Sequence, residues 1–286
     1  MARIGLILDS TANLPAEVLA GVAHRYVRFP VVLADEDCEA MSSEEFVEKV
    51  KKTKAYPKTS ALRAEDIASA ARDLVEGGAD ALLMIHLSAT MSRPTADAAA
   101  GVAAKFADAP FETVDSRSAA AGVAAVALRA VRLVAAGGEL ASIASALRET
   151  AASRTGNVIA TPDLTYLYHG GRIGAGKALM GSLLHMVPVL QVSCMSGLIE
   201  PVGRARKTAD VNAVMVARMR SHLETAGGVK VSCVVQHAGN PDAAGALADL
   251  IRKELPCEEL HVLRAPVASV VHVGPGAWMA GYTISR

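Results

Sequence analysis

The feature that most restricts the fold is an alternation in the first half of the chain. Apolar runs rich in strand formers (ARIGLIL, ALLMIHL, FETV) are separated by segments of helical spacing, such as Ile67, Ala70, Ala71 and Leu74 ahead of Gly77-Gly78. Ser42-Ser43-Glu44-Glu45 reads as a capping box, with Phe46, Val47 and Val50 on the apolar face of the helix it opens. Strand, helix, strand, helix predicts an α/β fold with a parallel sheet covered on both faces. From about Asn157 the pattern changes. NVIAT, VPVLQVS, LIEPV, VKVSCVV, ELHVLRAP and SVVHV read as strands, some joined by tight turns such as Cys194-Met195-Ser196-Gly197. Helices are expected from Thr208 to about Thr225 and from Pro241 to Leu255. Two domains follow: an N-terminal α/β parallel-sheet domain with flanking helices over 1–156, and a C-terminal mixed or antiparallel α/β domain over 157–286. The length of 286 residues suits two such units.

Composition narrows the function classes. Lys+Arg and Asp+Glu balance at 29 each, so no global field draws the chain to nucleic acid or to an anionic membrane. Aromatics at 3% leave little for stacking on bases. Cys38, Cys194, Cys233 and Cys257 are scattered without metal-ligand spacing and read as reduced thiols. MARIGLILDST enters a strand-like run after one arginine and is expected to be a strand of the fold, not a signal peptide. In AGVAAVALRAVRLVAA, Arg129 and Arg132 interrupt what would otherwise resemble a membrane span. A cytoplasmic chain is expected. Its apolar fraction of 51% and mean hydropathy of +0.29 suit a large core, or a core with an apolar cavity.

Ligands of open parallel sheets bind beyond the carboxyl ends of the strands. In this chain those positions carry hydroxyls: Asp9-Ser10-Thr11 after the first run, Thr59-Ser60 before a helix, Ser88, Thr90 and Ser92 after ALLMIHL, and Asp115-Ser116 after FETV. Each is equally an ordinary helix cap or turn residue. Their coincidence on one edge points to an anionic headgroup, a carboxylate or a phosphate.

Two further motifs bear on anions. Gly171-Arg172-Ile173-Gly174-Ala175-Gly176-Lys177-Ala178 approaches a P-loop but places alanine where a Mg²⁺-holding hydroxyl belongs. The preceding DLTYLYHG is also too polar for a buried strand. In the second half, Arg204 and Arg206 follow a strand, and His272 precedes a Gly-Pro-Gly turn. Taken alone these are surface charge and a structural histidine; together they are a cationic pair suited to a phosphate.

The order of LDSTANLP, KTS, LSATMS, VDSRS, YLYHGGRIG, PVL with SGLIEPVGRARK, and HVGPGA resembles the DegV family of bacterial fatty-acid-binding proteins, over nearly the whole chain. The resemblance implies a two-domain carrier that is not catalytic alone. It would bury a long-chain fatty acid, with the carboxylate near the domain junction and the tail in an apolar tunnel lined by the C-terminal domain. The carrier would present the carboxylate to a separate ATP-dependent kinase subunit, which makes an acyl phosphate. By position, Thr59, Ser60, Ser88 and Ser92 would serve the carboxylate, joined by Arg93, which stands where the family usually has glycine, while Arg206, His272, Gly274 and Gly276 would face the phosphoryl group or the kinase. Leu179, Met180, Leu183, Leu184 and Met186 are candidates for the tunnel, or for ordinary core. No cofactor or metal is implied.

Burial of a tail of about 14 to 18 carbons, at about 0.8 kcal/mol per methylene, exceeds the cost of association. The chain departs from the family where Met91-Ser92-Arg93-Pro94 replaces the usual Leu-Ser-Gly-Thr, and where Ala61-Leu62 replaces Gln-Pro after Thr59-Ser60. The competing readings are a Mg-nucleotide phosphotransferase built on residues 171–178, and a binding protein for another anionic apolar ligand.

Overall fold

The computed structural model describes residues 2–180 and 185–285, apart from the side chain of Leu179. The first half runs through β1 (Ile4–Asp9), α1 (Ala16–Leu19), β2 (His24–Val27), β3 (Val31–Leu33), β4 (Glu36–Asp37), α2 (Ser43–Lys52) and β5 (Lys58–Thr59). It continues with α3 (Ala64–Glu76), β6 (Ala81–His86), α4 (Arg93–Lys105), β7 (Phe111–Asp115), α5 (Ala121–Ala135) and α6 (Leu140–Ser153). The second half comprises β8 (Thr155–Ala160), α7 (Thr165–His169), a 3-10 turn over Gly174–Leu179, β9 (Val187–Val192), β10 (Ile199–Ala205) and α8 (Thr208–Thr225). It closes with β11 (Lys230–His237), α9 (Pro241–Glu254), β12 (Cys257–Arg264), α10 (Val267–Val273) and β13 (Trp278–Ser285).

The first sheet has the order β2-β1-β6-β7 with every pairing parallel. Every residue of β1 and β6 is buried, as expected of strands covered on both faces. The chain leaves β1 in one direction to β2 and in the other to β6, so a crevice opens beyond their carboxyl ends. The second sheet has the order β10-β9-β8-β13-β11-β12 and is mixed: β11 and β12 are parallel, and the other neighbours antiparallel. A small antiparallel patch, β4-β3-β5, carries Thr59 at its edge.

α5 lies between the two sheets. One side packs on the core that includes Leu6, Leu8, Leu83 and Ile85, and its N-terminal turn presses on β13. A Cβ on Gly281 would fall 1.9 Å from the Ala121 carbonyl oxygen, so only glycine permits that approach. This explains the apolar run AGVAAVALRAVRLVAA: a helix buried nearly all round is apolar nearly all round. Among the described residues, no helix is long and apolar enough to cross a membrane.

The capping box at Ser42 forms as the sequence predicts: Glu45 N–H donates to Ser42 Oγ, and Ser42 N–H donates to Glu45 Oε2 at 3.0 Å. One element differs from its reading. SVVHV is a helix, the last part of α10, and not a strand. A short run buried on all sides has no polar positions to mark its period, and Pro266 just before Val267 fixes the backbone for helix entry. β2 and β13, two strands that sequence patterning passed over, complete the sheets.

Candidate ligand cavity

The crevice of the first sheet faces the second sheet, and between them lies a cavity with about 710 Å³ of open space including its mouth. Both halves of the chain supply its walls. The N-terminal half brings Thr11 after β1, Thr59 and Ser60 at the end of β5, Leu87 after β6, and Met91 and Ser92 ahead of α4. The C-terminal half brings Ile159 of β8, Leu167 of α7, Arg172, Ile199 of β10, and Ser269 and His272 of α10.

The helical form of α10 makes this possible. Ser269 and His272 are three apart, which places them on one helix face; on a strand they would point to opposite sides. Ser269 Oγ is buried and has no hydrogen-bond partner, so it is free for a ligand. His272 Nε2 lies 3.0 Å from Thr59 Oγ1, while Nδ1 has no partner. The Gly170 backbone is so close that a Cβ there would lie 2.4 Å from Nδ1. Burial, with help from the neighbouring Arg172 charge, pushes the His272 pKa down to about 4, so the imidazole is neutral at pH 7.

Arg172 is the one charged side chain among the described residues lining the cavity. Its Nη1 donates to the Gly170 carbonyl oxygen at 2.6 Å, which anchors one arm of the fork. Beside it are the hydroxyls of Thr59, Ser60, Ser92 and Ser269, while Phe29, Leu87, Ile159, Leu167, Ile199 and Val273 supply hydrocarbon. The cavity is thus amphipathic, with a single fixed positive charge.

Below it the loops are braced by Asp9. Its Oδ1 accepts from Thr11 N–H at 2.8 Å and from the Thr11 hydroxyl at 2.5 Å, and its Oδ2 accepts from Leu87 N–H at 2.6 Å. Burial raises the Asp9 pKa against these bonds, and the carboxyl ties the ends of β1 and β6 together.

Of the residues singled out in the sequence, Thr11, Thr59, Ser60, Ser92 and His272 meet in the cavity. Ser92 is buried, and its hydroxyl donates to Thr95 Oγ1 at 2.8 Å. Ser88 lies outside the lining and does another job: its hydroxyl donates to the Gly197 carbonyl oxygen at 2.8 Å, docking the β9–β10 turn on the first sheet. Arg117 secures the same turn through Nε to the Cys194 carbonyl oxygen at 2.5 Å. Arg93 is 78% exposed and pairs with Asp97 at 2.8 Å, away from the lining. Arg206 is exposed and does not line the cavity. Gly274 and Gly276 are likewise outside it; Gly274, at φ 75°, packs against the Tyr166 ring. Met180 packs on the core and Met186 is half-buried, neither reaching the lining. Leu183, Leu184 and the Leu179 side chain lie outside what is described.

Residues 171–178 follow α7, not a strand, and enter a 3-10 turn, with Lys177 Nζ 5.8 Å above the Tyr168 ring. Among the described residues, no group of three His, Cys, Asp or Glu side chains is arranged to hold a metal. Arg172 and Ser269 were the residues that sequence reasoning passed over. Arg172 stands inside the near-P-loop motif, and the strand reading of α10 hides Ser269.

The family model described as "Uncharacterised protein, DegV family" matches residues 3–284. The chain belongs to the DegV family. A DegV domain-containing protein of Streptomyces coelicolor is 35% identical over 279 residues, 96% of each chain. Another from Mycobacterium tuberculosis is 32% identical over 273 residues, covering 95% of this chain and 94% of its own. A Thermus thermophilus DegV family protein, whose solved structure is described by its fatty-acid binding, superposes with a TM-score of 0.86 at 29% identity, covering 99% of both chains. The two-sheet fold is therefore one that this DegV protein shares with that structural relative.

Proposed function

We propose that this DegV protein binds one long-chain fatty acid in the cavity between its sheets and presents the carboxylate to a separate ATP-dependent kinase. The single observation that carries the reading is the amphipathic lining: one cation, Arg172, beside a group of hydroxyls, and hydrocarbon walls beyond them. The fatty-acid binding named for the Thermus thermophilus relative supports it. In this reading Arg172 and the hydroxyls of Thr59, Ser60, Ser92 and Ser269 hold the carboxylate. His272, kept neutral, positions the Thr59 hydroxyl through Nε2 without adding charge. Ser88, Arg93, Arg206, Gly274 and Gly276 lie outside the lining; of the last three, Arg206 is the exposed one and so the one open to a kinase contact. The protein is then a substrate carrier for tails of about 14 to 18 carbons, whose transfer from water favours burial by about 0.8 kcal/mol per methylene.

Native mass spectrometry of freshly purified protein, followed by lipid extraction, tests this directly. One fatty acid per chain is expected. Arg172→Gln removes the charge-assisted bond, about 1.5–3 kcal/mol, and should lower retention roughly 10- to 100-fold. Acyl phosphate should form from ATP only when a kinase subunit is added; formation by this chain alone would overturn the carrier role.

A further inference from the structure

A second cavity lies at the opposite end of β8, with about 790 Å³ of open space, and shares no lining residue with the first. It exists because β9 stops short. The last β8–β9 pair is Asn157 with Val192, so Thr155 and Gly156 of β8 have no partner on that edge. Groups from both faces of the sheet therefore meet in one notch.

On the α8 side stand Arg218 and His222, one helical turn apart. Arg218 Nε donates to Gln191 Oε1 at 2.5 Å, and Gln191 in turn donates to Glu200 Oε2 at 3.1 Å. Among the described residues, no carboxylate forms an ion pair with Arg218, and Arg218 is the one fixed charge in the lining. His222 adds none. Its Nε2 faces the Ser153 carbonyl oxygen at 3.0 Å and so carries the proton, which leaves Nδ1 to accept from the Tyr282 hydroxyl at 3.0 Å. On the other side of the notch, Thr155 Oγ1 and Asn157 Oδ1 are both buried and both without a hydrogen-bond partner. Buried polar atoms are almost always satisfied, so two orphans in one cavity wall call for a partner.

We propose that this notch is a second ligand site, taking a small oxyanion that also carries an O–H or N–H donor, such as a polyol phosphate or a hydroxy acid. The oxyanion sits on the free arms of Arg218, and the donor reaches Asn157 Oδ1 beside the Thr155 hydroxyl. The site is independent of the fatty-acid cavity.

Calorimetric titration of the full chain with glycerol 3-phosphate and, separately, with lactate tests the proposal and distinguishes the two oxyanion sources. Saturable binding of at least one, at one molecule per chain, is expected. It should weaken at least tenfold in Arg218→Gln and in Thr155→Val, and stay unchanged in Arg172→Gln. Sulfate, an oxyanion without a proton to donate at pH 7, should bind at least tenfold more weakly; equal binding overturns the donor requirement. Absence of saturable binding by both probes, or wild-type binding in both notch variants, overturns the site. So does loss of binding in Arg172→Gln alone. Thermal melts of each variant identify one that fails to fold, in which case the other notch variant decides.

Discussion

His272 sits among Val270, Val271, Val273 and the Gly170 backbone, and that setting decides which proton chemistry it can do. Its pKa, lowered from 6.5 to about 4, means that the folded chain resists a proton the unfolded chain accepts. Below pH 6.5 the unfolded state binds more protons, so stability is fully present above that pH and falls as pH drops toward 4. At pH 5 the loss traceable to this side chain is about 2 kcal/mol, from about 1.4 kcal/mol per pH unit. Urea unfolding of the wild type at pH 7.5 and pH 5, set against His272→Gln, isolates it: the variant should lose about 2 kcal/mol less. An identical pH dependence in both proteins would show that the ring is not held neutral by burial. The cavity hydroxyls were legible in the sequence because strand ends and helix starts predict where loops converge. Arg172 was not, since nothing in GGRIG fixes which way the guanidinium turns; that is decided by the Gly170 carbonyl it binds.

Among the elements, α5 and α10 show what patterning can and cannot fix. The apolar excess of α5 correctly signals burial, yet its partner is chosen by Gly281, where the helix backbone meets β13. Gly281→Ala should cost about 3 kcal/mol, at the upper end for overpacking, because the clash is with backbone that cannot rotate away. Gly101→Ala is the matched control. It lies in α4 with nothing within 4 Å of the added Cβ, and should stabilise by about 0.5–1 kcal/mol. Urea midpoints moving in opposite directions would support the contrast; equal midpoints for both variants would refute the close approach. α10 marks the limit of pattern reading. Its residues are buried at nearly every position, so only tertiary context separates helix from strand, and with the wrong period Ser269 and His272 part to opposite faces. Tight turns fared better: Cys194 to Gly197 is recognisable by composition, although the docking bond from Ser88 that holds it is a contact across more than a hundred residues.

For the molecule as a whole, the cavity is the seam. Thr11, Thr59 and Ser92 come from the first half, and Ile159, Ser269 and His272 from the second, so a ligand that fills the space touches both and is also a cross-link between them. A ligand bound only by the folded state stabilises it by RT ln(1 + [L]/Kd), about 2.7 kcal/mol at a hundredfold excess over Kd. For a chain of this size that corresponds to roughly 4–8 °C in Tm. Delipidated protein should therefore melt that much lower than protein reloaded with a saturating fatty acid. Because the ligand bridges both sheets, the transition should also sharpen on loading, as the halves are made to unfold together. Differential scanning calorimetry of the two forms reads both effects. A ligand held by one half alone would raise the melting of only that half and leave two separable transitions, and this outcome would move the binding site out of the seam.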